Sequence, residues 1–132
     1  MTVLVGFLPT AEGRAAFAAG LAEARRRGED LLVLNSPRSG APVSADVAPP
    51  DLVADLTGRA REAGVALELR QAAHDGDPSE EVVRVADEAD ASVIVIGLRR
   101  RSPVGKLLMG STAQRILLDA TRPVLAVKPQ AG

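Results

Sequence analysis

Residues 91–128 read ASVIVIGLRRRSPVGKLLMGSTAQRILLDATRPVLAVK, and their order decides the fold. The apolar run ASVIVIG (Ala91–Gly97) is short and rich in Val and Ile, as in a strand buried on both faces. A loop bounded by glycines follows, carrying three arginines and a lysine, and leads into a helix-period stretch from about Ser111 to Ala120. The short run PVLAVK then closes the segment as a second strand. Strands joined through a helix run parallel, because the crossover returns the chain to the same end of the sheet. Pro123 and Pro129 bracket the last strand, which suits a sheet edge, where missing N–H donors do little harm.

Working outward toward the N-terminus, the same alternation repeats. GDPSEEVVRVADEAD (76–90) opens a helix, with Asp77 as cap, Pro78 at the first helical position and Glu80 three after the cap. Asp77, Glu80 and Glu81 read as capping and dipole residues rather than catalytic acids. VALELRQAA (65–73) alternates apolar and polar residues, as expected of a strand near the sheet edge. His74 beside Asp75 invites a general base, but no nucleophile stands near it in sequence, so an ordinary loop histidine is the reading. DLVADLTGRAREAG (51–64) is a helix with Leu52, Val53, Leu56 and Ala60 on one side and Gly64 as its stop. SPRSGAPVSADVAPP (36–50) is a loop, readable as a lid or as a surface connection. LLVLN (31–35) and TVLVGFL (2–8) are buried strands. Between them TAEGRAAFAAGLAEARRRG (10–28) is a helix with Ala15, Phe17, Ala18, Leu21 and Ala24 on its apolar side, stopped by Gly28. The predicted order is β-α-β-α-β-α-β-α-β: an α/β chain with a parallel sheet and helices on both faces, taken as one domain over residues 1–132. Ligands in such sheets sit at the carboxyl ends of the strands where the strand order reverses, which directs attention to the tips of the first and fourth strands.

Composition narrows the function classes. At 132 residues the chain buries roughly two-thirds of its unfolded surface and needs no staples. With no cysteine there is no disulfide, thiolate metal site or cysteine nucleophile, which fits a reducing cytosol. A single histidine excludes a multi-histidine metal site. Sixteen basic against seventeen acidic residues leave a net charge of -1, and Phe7 and Phe17 are the only aromatics. Nucleic acid is therefore not the expected partner. No leader and no run of about 20 apolar residues point to export or to a membrane. A cytoplasmic location is expected.

The loop between the fourth strand and the last helix carries the candidate chemistry. The first turn of a helix beginning at Gly110, Ser111 and Thr112 offers unpaired N–H groups and the positive end of the dipole to an anion. Gly110 lets a phosphate approach the backbone, the two hydroxyls can donate to it, and Arg99, Arg100, Arg101 and Lys106 supply countercharge. The same residues also fit a plain connection, with Ser111 capping the helix and the arginines solvated. Lys106 does not follow a glycine in Walker A order. No catalytic set of base, nucleophile and metal is visible.

These features together, densest in residues 91–128, resemble the universal stress protein family. The resemblance implies a Rossmann-like, adenine nucleotide alpha hydrolase-like fold with strand order 3-2-1-4-5. It also implies a homodimer paired through the last strand, Pro123, Val124, Leu125, Ala126, Val127 and Lys128. Nucleotide-binding members carry G-x2-G-x9-G-[ST] in this loop. Laid on this chain, Gly97 and Gly110 take the outer glycines and Ser111 the hydroxyl, while Arg100 stands in place of the middle glycine. At the first strand tip such members carry V-D-G-S; here Leu8, Pro9 and Thr10 replace the last three residues. Val33 stands where the family packs an apolar side chain near adenine. Leu8 cannot accept a hydrogen bond and Pro9 has no N–H, each lost bond weakening binding by ~1–3 kcal/mol. The expected function is a non-catalytic stress-response module that binds ATP or AMP weakly or in altered form through Gly97, Arg100, Gly110, Ser111, Thr112, Thr10 and Val33. Magnesium is expected only with ATP. The alternatives are a ligand-free dimeric interaction protein with a vestigial pocket and, behind it, a slow ATP hydrolase.

Overall fold

The computed structural model describes residues 1–35, 48–71, 77–100, 107–108 and 110–129. Along the chain these form β1 (Thr2–Phe7), α1 (Ala11–Arg27), β2 (Asp30–Asn35), α2 (Pro50–Glu62) and β3 (Leu67–Gln71). Then come α3 (Pro78–Glu88), β4 (Ala91–Gly97), the two-residue strands β5 (Arg99–Arg100) and β6 (Leu107–Leu108), α4 (Ser111–Asp119) and β7 (Val124–Val127). Five strands make one parallel sheet in the order β3-β2-β1-β4-β7. With β7 counted as the fifth strand of that sheet, this is the expected 3-2-1-4-5.

Alternation along each strand splits the core in two. Val3, Val5 and Phe7 of β1, Leu31 and Val33 of β2 and Val93 and Val95 of β4 face α1 and α2. Leu4, Leu32, Leu34, Ile94 and Ile96 face α3 and α4. A period of two with apolar residues at both phases is what burial on both faces requires. Only at the edge does one phase turn polar: Leu67 and Leu69 of β3 pack inward while Glu68 and Arg70 lie exposed.

The helix boundaries follow local chemistry. Asp77 caps α3, its carboxylate accepting from the Ser79 N–H at 2.9 Å and the Ser79 hydroxyl at 2.7 Å. Gly28 ends α1 at φ 67°. Asp90 takes the left-handed conformation after α3 (φ 53°), and its carboxylate accepts from Arg122 at 2.7 Å. Arg122 also donates to Asp87 and to the Ala91 carbonyl, clamping the turn before β7 onto the end of α3.

Two expectations are corrected. On α1 the buried residues are Gly13, Ala16, Phe17, Gly20 and Ala24, while Ala18 is exposed and Ala15 and Leu21 are half-buried. Close approach, not hydrophobicity, chooses that face: a Cβ on Gly20 would stand 2.2 Å from Cγ2 of Val5. The connection after β4 is also not loop throughout. Arg99 and Arg100 pair antiparallel with Leu108 and Leu107.

Candidate functional site

Strand order reverses between β1 and β4, and two helices begin at the carboxyl end there, α1 after β1 and α4 after the β5–β6 ribbon. The ribbon matters for position. By pairing Arg99 with Leu108 it brings the chain back to the tip of β4 just before Gly110 opens α4.

The two helix termini differ. α1 is closed: Thr10 is its N-cap, and Thr10 Oγ1 accepts from the Gly13 N–H at 3.2 Å. Its first turn is pressed onto both strand ends. A Cβ on Gly13 would stand 1.8 Å from the Leu8 carbonyl oxygen, and one on Gly97 would stand 2.1 Å from the Glu12 carbonyl oxygen. No side chain could occupy either place, so both glycines are needed for packing. α4 is open among the described residues: its N-cap is Gly110, in extended conformation, and no side-chain hydrogen bond caps it. Ser111 is the first helical residue and exposed, so it does not perform the capping that one sequence reading allowed; Thr112 beside it is half-buried. The amides of this turn therefore keep their polarity for an outside acceptor.

One helical turn on, Arg115 Nη1 donates to Asp77 Oδ2 at 3.1 Å, which holds the starts of α3 and α4 side by side. The bonds from Ser79, hydroxyl first and then backbone N–H, hold the Asp77 carboxyl below its ordinary value, with Arg115 adding to the effect.

The other expected residues distribute as follows. Gly97 ends β4, paired in register with Val127. Arg100 lies in β5, where its backbone pairs with Leu107. Val33 is in mid-β2, in register with Val5 and Leu69 and fully buried in the α1–α2 side of the core. Topology thus brings Thr10, Gly97, Gly110, Ser111 and Thr112 to one end of the sheet and leaves Val33 inside it. His74, Asp75, Arg101, Lys106 and residues 36–47 lie outside the described residues.

Sequence reasoning missed Asn35. It is fully buried, its Nδ2 donating to the Phe7 carbonyl at 3.1 Å and its Oδ1 accepting from the Ala48 N–H at 2.9 Å. It ties the tip of β1 to that of β2 and to the chain returning at Ala48. The available signal was a lone polar residue ending the apolar run LLVLN. Glu12 and Gly13 were likewise not singled out. Among the described residues no three His, Cys, Asp or Glu side chains are grouped to hold a metal ion, and no helix is long and apolar enough to cross a membrane.

A model of the universal stress protein family matches residues 1–128. The chain belongs to this family. It is 45% identical to a universal stress protein of Mycolicibacterium smegmatis over 96% of this chain and 97% of that one. Among solved structures it is similar to a universal stress protein from Archaeoglobus fulgidus, at TM-score 0.79 and 30% identity, covering 97% of this chain and 98% of that one. A universal stress protein solved in complex with cAMP matches at TM-score 0.70 and 26% identity over 98% of both chains. The sheet order and these likenesses give the Rossmann-like nucleotide hydrolase fold of the family.

Proposed function

We propose that this universal stress protein domain, residues 1–132, is a non-catalytic stress-response module of the cytoplasm. It binds an adenine nucleotide or a related phosphate compound at the open start of α4. The observation that carries the reading is the N-cap at Gly110, where among the described residues no side chain caps the first-turn amides of α4, at the point where the strand order reverses. The relative bound to cAMP supports a nucleotide as the occupant. Gly110, Ser111 and Thr112 hold the phosphates, Arg100 adds countercharge, and Gly97 and Thr10 shape the floor. Val33 supports that floor from within the core. ATP or AMP is the expected ligand, with magnesium only where ATP is bound. The affinity is weak, because Leu8 and Pro9 replace polar groups at the tip of β1.

A homodimer forms through β7, one of the two edge strands of the five-stranded sheet. Leu125 is 37% exposed on that strand, and Leu117 and Leu118 of α4 are 38% and 80% exposed on the helix crossing to it. Apolar side chains exposed on an open edge strand and on the helix that leads to it mark an interface.

The second reading, a ligand-free dimer with a vestigial pocket, is favoured by one observation: Gly97 and Gly13 are both explained by packing of α1. Ultraviolet absorption separates the two. Without Trp, Tyr or Cys the chain absorbs almost nothing at 280 nm, so a co-purifying nucleotide gives an isolated band near 260 nm. A band, or heat on titrating ATP or AMP, supports the nucleotide reading; neither signal leaves the ligand-free dimer. Phosphate release lost in Ser111→Ala would overturn the non-catalytic part.

A further inference from the structure

We infer that the groove at the amino ends of β1, β2 and β3 docks an extended segment of a partner protein, one that carries an arginine beside apolar side chains. The groove lies at the opposite end of the sheet from the start of α4 and is independent of what binds there.

The groove exists because the helices stop short of one corner of the sheet. Side chains alternate along a strand, so the register of Leu32 with Glu68 and of Leu34 with Arg70 sets Glu68 and Arg70 on the face that carries Leu32 and Leu34. Thr2 and Asp30, partners in the β1–β2 register, lie on the same face. Among the described residues, β1, β2, β4 and β7 supply apolar side chains to the core under α3 and α4, and β3 supplies none. The corner left open is a cavity of about 310 Å³, walled by Thr2, Asp30, Glu68 and Arg70 on the strands and by Ala89 at the end of α3.

Charge chooses the occupant. Asp30 is exposed and, among the described residues, has no hydrogen-bond or ion-pair partner. Glu68 is joined to Arg70 at 2.5 Å, so the walls hold two carboxylates against one guanidinium. Ala89 is the C-cap of α3, whose last turn carries no basic residue, whereas α1 ends in Arg25, Arg26 and Arg27 and α2 in Arg59 and Arg61. The negative end of the α3 dipole thus meets the groove without a cation from its own last turn. Arg122 answers Asp87 and Asp90 but does not line the groove. A cation from outside complements this set.

The apolar part of the lining favours a peptide over a bare amine. Ala66, Leu67 and Ala89 keep part of their surface open there. They suit the aliphatic stem of an arginine whose guanidinium reaches Asp30, with a neighbouring apolar side chain of the same segment covering the rest.

The test is an amide NMR titration of the full chain with a short capped peptide that carries one arginine between two leucines. Expected are saturable shifts confined to Thr2, Asp30, Glu68, Ala89 and their neighbours, at a dissociation constant of about 1 mM or tighter. Asp30→Asn should weaken binding by about threefold to fivefold, the worth of one exposed ion pair. Asp55→Asn, exposed on α2 at the other face of the sheet, should leave it unchanged. No saturable shift, shifts confined to another part of the chain, or an undiminished affinity in Asp30→Asn overturns the inference. The same peptide with glutamate in place of arginine should not bind; equal binding shows that charge does not select the occupant and overturns it too. Spermidine binding as tightly as the arginine peptide makes the occupant a free polyamine and removes the partner segment.

Discussion

A Cβ added to Gly97 has nowhere to go, because the Glu12 carbonyl oxygen already stands 2.1 Å from its place and the contact is backbone on both sides. Gly97→Ala should therefore separate α1 from β4 and cost ~1–3 kcal/mol, read from the midpoint of urea unfolding. Gly58, in the interior of α2, has nothing within 4 Å of the same position. There the alanine only removes backbone freedom from the unfolded chain, and Gly58→Ala should stabilise by ~0.5–1 kcal/mol in the same experiment. Asn35 is the third informative residue. Asn35→Leu leaves the Phe7 carbonyl and the Ala48 N–H unpaired in a sealed place, at ~1–3 kcal/mol each, so unfolding at markedly lower urea is expected. None of these roles was legible as such. Gly97 was singled out as a phosphate residue, yet its packing need comes from Glu12, far away in sequence. The partners of Asn35 lie 28 and 13 residues away, beyond any local pattern.

At the scale of elements, what local chemistry dictates was readable and what distant packing dictates was not. The cap of α3 at Asp77 and the stop of α1 at Gly28 follow from side chains within a few residues. The buried face of α1 does not, because close approach to β1 selects Gly13 and Gly20 over larger apolar residues. The β5–β6 ribbon is invisible to periodicity, since two residues cannot show an alternation. The two caps lead to two measurements. Gly110 has the extended conformation that an ordinary N-cap residue adopts (φ -69°, ψ 164°). Gly110→Asp should thus supply the missing acceptor, stabilise α4 by a few tenths of a kcal/mol, and abolish calorimetric ATP binding by placing a carboxylate where the phosphate belongs. Asp77 titrates below its ordinary value of 3.8 because the folded state bonds its charged form. The unfolded chain then binds the proton more readily, so the contribution is complete above about pH 4 and is lost as pH falls through the lowered value. Asp77→Asn, which keeps a capping side chain but no charge, should melt below the parent at pH 7. That gap should begin to narrow as the pH falls to the ordinary value and close only below the lowered one.

At the scale of the whole molecule, the five-stranded sheet has two edges, and they are built differently. β3 carries Glu68 and Arg70 on its open face, joined at 2.5 Å, and ends in exposed Gln71, side chains that discourage pairing with another strand. β7 reads VLAV and has Leu125 exposed at 37%, and α4 before it carries the exposed Leu117 and Leu118. Its position at the edge was legible in the prolines at 123 and 129, because a central strand would miss their N–H donors. A flat apolar edge left open would recruit strands without limit, whereas two copies pairing β7 to β7 bury both edges and close the assembly. Sedimentation at tens of micromolar should then give a dimer for the parent and a monomer for Leu125→Lys, which sets two like charges near the pairing axis. The parent's melting temperature should rise with protein concentration and that of Leu125→Lys should not, since only the parent couples folding to association. Arg70→Ala on the opposite edge should leave the dimer intact. A parent that sediments as a monomer, or a Leu125→Lys variant that remains a dimer, removes β7 from the interface and leaves its apolar edge to another partner.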